Sequence, residues 1–193
     1  QIRQTAIARL SEHGFPTTRN EDWKYTNAIR ALRHQYTSAP GAPVQLEELP
    51  FPVGATRLIF VNGHLDRNLS TLGSHAGCEL VSLADAFTAD GATLPAAYGQ
   101  VAGFASQAEA FVALNTAFAR EGALIRVPAG QVVEDPVYVV FITKDTEGPS
   151  AIHPRVFVEA GENSEVTVVE AYAGLTANPY WNNAVTEVIL GQS

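Results

Sequence analysis

The 193-residue chain is apolar enough to build a core and carries few charges. Hydrophobic residues make up 46% and charged residues 17%, below the roughly 25% of an average soluble protein, so extensive disorder is excluded. The net charge of −8 argues against nucleic acid as the main partner. The longest apolar run, Val137 to Ile142, is far shorter than the ~18 residues that span a bilayer. We therefore expect a soluble, cytoplasmic protein without a membrane partner.

Several site chemistries are excluded by residues that the sequence lacks. The only lysines, Lys24 and Lys144, do not follow glycine, so there is no phosphate-binding Gly-Lys loop. No two glycines stand two positions apart, which removes the Gly-x-Gly dinucleotide fingerprint. The single cysteine, Cys78, cannot supply the several thiolates of a zinc or iron–sulfur site. We assign no catalytic residue and no metal ligand, and any cofactor-binding residue stays unassigned.

The first part of the chain predicts two helices. Apolar residues recur at helical spacing from Ile2 to Leu10, and Gly14 is suited to end this first helix. The sequence Thr18-Arg-Asn-Glu21 has the form of a capping box, in which two side chains satisfy the first free N–H groups of a helix. It predicts a second helix, whose apolar stripe is Trp23, Tyr25, Ile29 and Leu32.

A proline-rich stretch and a hairpin signal follow. Four prolines fall within residues 38–52, where a helix cannot persist, so we interpret this stretch as a linker. The pair Asn62-Gly63 lies between the extended runs Arg57–Val61 and His64–Arg67. Because a type I′ turn needs positive φ at both central positions, Asn-Gly between such runs predicts a β-hairpin.

The middle of the chain mixes short elements. Cys78–Val81 is predicted as a strand, and Leu83–Phe87 as a short helix that ends near Gly91. Ser106-Gln-Ala-Glu109 is a second capping box. The apolar residues after it recur near helical spacing and predict a helix that ends at Gly122.

Beyond Gly122 the sequence is a series of short predicted strands rich in β-branched residues. No helical segment separates them, which disfavours alternating strands and helices and leaves a sandwich, a barrel or a β-solenoid. The final run stops three residues before the sequence ends and has no cap after it, so the stack looks cut off and a solenoid is favoured. The predicted runs are Ala123–Val127, Gln131–Val133, Val137–Thr143, Arg155–Ala160, Glu165–Tyr172 and Ala184–Leu190.

Several phrases of the sequence resemble one family in order and spacing. The phrases cover residues 16–26, 113–118, 122–128, 153–155, 161–164 and 183–187. They include Glu-Asp-Trp-Lys-Tyr-Thr and Ala-Leu-Asn-Thr-Ala-Phe. Together they resemble the SufB/SufD family of iron–sulfur cluster assembly proteins, with a good match to its SufD branch. The resemblance covers nearly the whole chain and is weakest at residues 38–105.

The resemblance implies a mainly β fold, in which a right-handed parallel β-helix core follows a helical and mixed α+β N-terminal region. The corresponding units are an N-terminal helical segment (1–37), a linker and mixed region (38–122) and the start of a truncated β-helix (123–193). Because the net charge is +3 over residues 1–36 and −6 over residues 123–193, the two ends are expected to be different structural units. The family's C-terminal helical domain, which binds the ATPase SufC, is missing, so the chain is expected to be an N-terminal fragment.

The function implied by the resemblance is a non-enzymatic scaffold or accessory subunit of the Suf complex. Its expected partners are SufB and SufC homologues, and a homodimer through the β-helix is also considered. The iron–sulfur cluster would be handled by the full complex, not bound by this fragment. Two alternatives stay open: a SufB-like direct cluster scaffold, against which the single Cys78 speaks, and a β-helix carbohydrate-active enzyme.

A few residues are individual candidates for sites. Cys78 with His75 supplies two metal ligands at most, and a buried cysteine usually packs as a small hydrophobe. Trp23 is expected to pack the helical unit onto the rest of the chain and not to anchor a partner. Other candidates, for each of which a simpler capping, solvated or extended role is preferred, are Arg19, Glu21, Asp22, Lys24, Tyr25, His153, Glu159, Glu162, Glu165 and Glu170.

Overall fold

The computed structural model describes residues 1–88 and 94–192, and over these residues the protein is mainly β, with mixed sheets and few helices. The helices are α1 (Ile2–His13), α2 (Leu83–Thr88) and α3 (Ala110–Phe118), with short 3-10 turns at Glu21–Trp23, Ala28–Leu32, Leu46–Glu48 and Gln107–Glu109. The strands are β1 (Arg57–Val61), β2 (His64–Leu65), β3 (Gly73–His75), β4 (Cys78–Ser82), β5 (Gly122–Val127), β6 (Val137–Lys144), β7 (Ser150–Ile152), β8 (Arg155–Ala160), β9 (Val168–Leu175), β10 (Tyr180–Asn182) and β11 (Val185–Leu190). No helix within this described part is long and apolar enough to cross a membrane.

From β5 onwards, strands pair in parallel with later strands of the chain: β5 with β8, β8 with β11, β6 with β9 and β7 with β10. The sheet orders are β2-β1-β6-β9, β11-β8-β5-β4-β3 and β10-β7. Gly122 lies opposite Arg155, and Arg155 lies opposite Val185, so β5, β8 and β11 follow one another in register at nearly equal spacing along the chain. This parallel register argues against an antiparallel sandwich, one of the three architectures that the sequence left open.

The core lies between the two larger sheets. Their inward residues form one buried cluster that includes Leu58 and Phe141 of one sheet and Leu80, Ile125 and Val156 of the other. Strands β5, β6 and β8 are also covered on their second faces, and they are therefore almost continuously apolar.

The proline-rich stretch interpreted as a linker packs against a sheet. Val44 is buried against Ile59, Val61 and Val140, and partly buried residues of the same stretch join this cluster. The prediction that no α-helix forms there agrees with the structure, which has only the 3-10 turn Leu46–Glu48. The stretch therefore covers the outer face of β1 and β6 instead of serving as a flexible spacer.

The N-terminal region confirms one predicted helix and corrects the other. Helix α1 ends before Gly14, whose φ is 66°. The helix predicted from the Thr18 capping box is wrong, because only two short 3-10 turns form there. The side chain of Asn20 accepts a hydrogen bond from the Thr17 N–H (2.9 Å) and makes a local turn. Such side-chain bonds offer the backbone an alternative to a helix.

The predicted hairpin is confirmed. Asn62 and Gly63 have φ values of 53° and 78°, and they join β1 to the antiparallel β2. The Asn62 amide donates hydrogen bonds to the carbonyls of Pro40 and Lys144, and its oxygen accepts one from the Lys144 N–H. One turn residue thus ties the proline-rich stretch to the end of β6.

Other predicted elements are confirmed with shifted ends. The Ser106–Glu109 capping box forms, and α3 ends at Phe118 because Gly122 already belongs to β5. The strand predicted at Gln131–Val133 is reduced to a single bridge between Val132 and Glu165. The stop near Gly91 lies outside the described residues.

Replacing Gly122 by Ala should lower the free energy of unfolding strongly. A Cβ atom at this position would lie 1.9 Å from the Arg155 carbonyl oxygen, which is backbone on the paired strand and cannot swing away. Overpacking in a core costs about 1–3 kcal/mol, and we expect the upper end here, measured by urea denaturation. Gly148→Ala is the matched control, because nothing lies within 4 Å of its Cβ position. Equal midpoints for the two variants would contradict this account of the β5–β8 contact.

Candidate functional site

A fully buried ion pair joins β8 to β11. Arg155 and Glu187 are 0% and 1% exposed, and Arg155 Nη2 lies 2.5 Å from Glu187 Oε2. Arg155 pairs in register with Val185, so Glu187, two residues further along β11, projects from the same face of the sheet. The side-chain alternation of neighbouring parallel strands therefore brings the two charges together.

The Glu187 carboxylate also binds a loop that is neither helix nor strand. It accepts hydrogen bonds from the backbone N–H groups of Gly99, Val101 and Ala102 at 3.0–3.1 Å. The Arg155 guanidinium in turn lies 5.3 Å from the centre of the Tyr98 ring. Burial raises the pKa of the Tyr98 hydroxyl. The loop is thus held by charge-assisted bonds, which are stronger than bonds between neutral groups.

Helix α3 supplies the remaining partners of Arg155. Arg155 Nη1 donates to Asn115 Oδ1 (3.0 Å) and to Thr116 Oγ1 (3.1 Å). Asn115 Nδ2 donates to the carbonyls of Pro154 and Asn183, both at 2.7 Å. Arg155, Glu187 and Asn115 are therefore buried with their polar groups satisfied, an arrangement suited to holding elements together. Its groups are bonded to one another and closed off from solvent, so they are not placed to attack a substrate.

A cavity of about 680 Å³ lies beside this ion pair, between the chain segment around Tyr36, the β1–β2 turn, the end of α3 and strands β7 and β10. Its lining combines aromatic rings with a few polar groups. The residues used below are Tyr36, His64, Phe118, Arg120, Glu121, His153 and Trp181. Cavities of about 300–1,000 Å³ with such linings are typical of small-molecule sites.

His153 forms part of the cavity wall. Its ring lies 5.7 Å from the Phe118 ring and 6.1 Å from the Trp181 ring, measured between centroids. Asn183 Nδ2 donates to His153 Nδ1 (3.2 Å) and also to the Phe111 carbonyl (3.0 Å). Burial lowers the pKa of His153 to about 4, so the imidazole is neutral near pH 7.

Acidic and basic groups lie at another side of the cavity. Burial raises the pKa of Glu121, although the Ser82 hydroxyl, which donates to its Oε2 at 3.0 Å, opposes that shift. His64 Nε2 lies 3.3 Å from the Ala39 carbonyl. Arg120 is exposed at this side. Among the residues that the structure describes, no group of three or more His, Cys, Asp or Glu side chains could hold a metal ion.

The structure does not bring Cys78 and His75 together as ligands. Cys78 is 3% exposed, and its Sγ donates to the backbone carbonyl of His75 (3.2 Å), not to the imidazole. Burial raises the pKa of the thiol, which keeps it protonated. The cysteine packs in the main core cluster.

The two aromatic residues of the Glu-Asp-Trp-Lys-Tyr-Thr phrase have opposite surroundings. Trp23 Nε1 donates to the Ala108 carbonyl (3.1 Å), and its ring lies 5.1 Å from the Phe111 ring. Tyr25 is 92% exposed, with the Lys24 ammonium 5.6 Å from its ring. Trp23 therefore packs the N-terminal turns onto α3, while Tyr25 faces solvent.

The four glutamates near the turn at residues 161–164 do not converge on one point. Glu159 pairs with Arg126 Nε at 2.8 Å, and Glu165 lies in the bridge to Val132. Glu170 accepts hydrogen bonds from the hydroxyls of Tyr172 and Thr186. Glu162 is exposed, as are Arg19, Glu21 and Asp22 of the N-terminal turns.

Sequence reasoning does not identify the Arg155–Glu187 pair, although two of the resembling phrases contain its members and a third contains its hydrogen-bond partners on α3. Those phrases meet in space: one contributes Asn115 and Thr116, another Arg155, and a third Asn183 and Glu187. The available signal is a charged residue at the start of a mostly apolar strand, as in Arg155-Val-Phe-Val-Glu-Ala160. This pattern alone does not distinguish a buried charge from one at an exposed strand end.

Arg155→Met should lower the free energy of unfolding by about 3–5 kcal/mol, because it leaves the buried Glu187 carboxyl without its cationic partner. Urea denaturation measures the change. The double variant Arg155→Met/Glu187→Gln should be more stable than Arg155→Met alone, because a neutral amide no longer needs a counter-charge. The matched control is Arg67→Met, which breaks the exposed pair with Asp85 and should shift the midpoint little. A double variant no more stable than the single one would contradict the buried-charge explanation.

His153 should make the fold sensitive to mild acid. Its pKa is about 4 when folded, against about 6.5 when unfolded, so the unfolded chain binds the proton first. The contribution is complete above pH 6.5 and is lost as the pH falls towards 4, by up to about 3 kcal/mol. Denaturation at several pH values should show a shallower decline for His153→Phe over that range. The same slope in both proteins would contradict the prediction.

Comparison with known proteins agrees with the resemblance. The family model described as the SufBD protein N-terminal region matches residues 1–139. An iron–sulfur cluster assembly SufBD family protein of Synechocystis sp. is 28% identical over 209 residues, covering 99% of this chain and 44% of the relative. The iron–sulfur cluster assembly protein SufD of Escherichia coli is 30% identical over 185 residues, covering 94% and 41%.

The chain spans less than half the length of these relatives. A third similar protein, ABCI7 of Arabidopsis thaliana chloroplasts, is 33% identical over 86 residues, which are 42% of this chain and 18% of that protein. The family model covers well over half of the chain, and the two longer alignments cover nearly all of it. The chain belongs to the SufBD family of iron–sulfur cluster assembly proteins.

Proposed function

We propose that the protein acts as a SufD-like, non-enzymatic accessory subunit in cytoplasmic iron–sulfur cluster assembly, together with SufB and SufC homologues. The observation that carries the proposal is the 30% identity to SufD of Escherichia coli over 94% of the chain. The cluster is then the cargo of the assembled complex, and this chain contributes structure to that complex.

The proposal includes a right-handed parallel β-helix that begins at β5. Support comes from three sets of parallel pairs along the same stretch of chain: β5–β8–β11, β6–β9 and β7–β10. The single bridge between Val132 and Glu165 adds a fourth parallel contact, with the same spacing along the chain as the β5–β8 pair. Parallel strands joined by crossovers are almost always right-handed. Each stretch of chain from one strand to its parallel neighbour is then one turn of the helix.

The buried chemistry of the described residues also favours a structural role. The thiol of Cys78 is protonated and packed in the core, where it is not available as a cluster ligand. The Arg155–Glu187 pair is enclosed, with its hydrogen-bonding groups occupied by the fold. These features support the accessory role over a SufB-like direct scaffold. The names of the Synechocystis and Escherichia coli relatives support assembly over a carbohydrate-active enzyme.

The test is co-purification of the complete protein with its SufB and SufC homologues. The tagged full-length protein is co-expressed with both, and the mass of the recovered species is measured after size exclusion. We expect one complex that contains all three. Recovery of the tagged protein without either homologue, as a monomer or as a homodimer, would refute the proposal.

Cys78→Ala distinguishes the accessory role from a direct scaffold. Because the thiol is buried and, among the described residues, donates to a backbone carbonyl, the variant should join the complex and support cluster assembly like the unaltered protein. Loss of the cluster from a complex of normal composition would instead favour the SufB-like alternative. Incubation of the unaltered protein with polysaccharides should release no reducing ends.

A further inference from the structure

The cavity beside the Arg155–Glu187 pair has the features of a ligand site. It is formed by segments far apart in the sequence, so it exists only in the folded chain: the stretch around Tyr36, the end of α3 and the β7–β10 sheet. Its volume of about 680 Å³ suits a small organic molecule. Its aromatic lining includes Tyr36, Phe118 and Trp181.

These rings form a connected wall. The ring centroids of Tyr36 and Trp181 are 5.6 Å apart, and the Trp181 ring stands nearly perpendicular to that of Phe111 at 5.7 Å. Phe111 in turn contacts Trp23. The wall is therefore held in place by packing on α3 and on the N-terminal turns. Aromatic walls favour flat, aromatic ligands, which they contact by stacking or edge-to-face packing.

His153 of the cavity lining carries an N–H donor that has no partner among the described residues. The hydrogen bonds around its ring determine which nitrogen carries that proton. The Phe111 carbonyl can only accept, so the Asn183 atom bonded to it is the amide nitrogen. The same nitrogen donates to His153 Nδ1, which must therefore accept. A neutral imidazole with an accepting Nδ1 carries its proton on Nε2. Among the described residues, no hydrogen bond is made by this Nε2–H.

Three of the other polar side chains of the lining are engaged elsewhere, whereas Thr37, Ser38 and the exposed Arg120 also line the cavity. The Asn62 amide bonds to Pro40 and Lys144, Glu121 accepts from Ser82, and His64 lies against the Ala39 carbonyl. A ligand that enters the cavity therefore meets the His153 donor beside aromatic rings, with a few further polar side chains in the lining. A small number of placed polar groups in an apolar lining gives such sites their orientation and specificity.

We infer that this cavity binds a planar aromatic molecule that carries a carbonyl or carboxylate oxygen, with the ring between Tyr36, Phe118 and Trp181 and the oxygen accepting a hydrogen bond from His153 Nε2. Such a site goes beyond the proposed accessory role, because it would allow a small molecule to bind the subunit directly.

The test compares two probes of similar shape on the complete protein. Naphthamide carries the acceptor oxygen, whereas methylnaphthalene has the same ring system without it. We expect calorimetric titration to show tighter binding of naphthamide by roughly fivefold, the value of one net hydrogen bond. Equal affinities, or no binding of either probe, would overturn the inference.

Two variants assign the interaction to its residues. His153→Phe keeps a ring of similar size but removes the donor, so naphthamide should weaken to the affinity of methylnaphthalene, which should not change. Trp181→Leu leaves the donor but removes part of the wall, so both probes should weaken. Circular dichroism verifies that each variant is folded, and if His153→Phe does not fold, the probe pair and Trp181→Leu decide the question.

Tyr25→Ala is the matched control, because it removes an aromatic side chain that is 92% exposed and lies outside the cavity lining. Both probes should bind this variant as they bind the unaltered protein. Equal weakening by Tyr25→Ala and Trp181→Leu would show that the probes bind non-specifically to surface rings, and it would overturn the inference.

Discussion

Arg155 is 0% exposed, and its burial determines which groups must surround it. A cation can be withdrawn from water only if an anion and further acceptors replace its hydration, and Arg155 obtains them from Glu187, Asn115 and Thr116. This requirement also specifies strand register. A slip of one residue between β8 and β11 would turn Glu187 to the opposite face and leave the arginine unpaired. With apolar packing alone, the slipped register would lose less stability.

The same ion pair links parts of the chain that lie far apart in the sequence. Glu187 holds the loop at Gly99–Ala102, which lies far earlier in the sequence, and Asn115 joins α3 to the ends of β8 and β11. Three of the phrases that carry the family resemblance therefore contribute residues to the interior. Asn115, Thr116, Arg155, Asn183 and Glu187 of these phrases are residues that the fold requires in order to enclose a charge.

A feature of this structure is predictable from the sequence when the residues that cause it lie close together in the chain. The Asn62-Gly63 hairpin, helix α1 and the Ser106 capping box were predictable, because each depends on residues within one or two turns of chain. The second helix was not, because the Asn20 side chain makes a competing turn and Trp23 packs on α3, a distant part of the sequence. The buried pair depends on the register of two strands that are not adjacent in the sequence, which no local pattern encodes. The cavity, built from several distant segments, could not be anticipated for the same reason.

Asn183 connects the buried Arg155–Glu187 pair to the wall of the cavity. Its carbonyl accepts from Asn115, which bonds Arg155, while its amide nitrogen donates to His153. The bonds that compensate the buried arginine therefore also hold the imidazole in one tautomer. A donor held in this way loses little conformational freedom when a ligand arrives, and such preorganisation is what turns a single hydrogen bond into measurable affinity. The hydrogen bonds that the buried Arg155 requires for folding thus also fix the His153 donor that the inferred ligand would use.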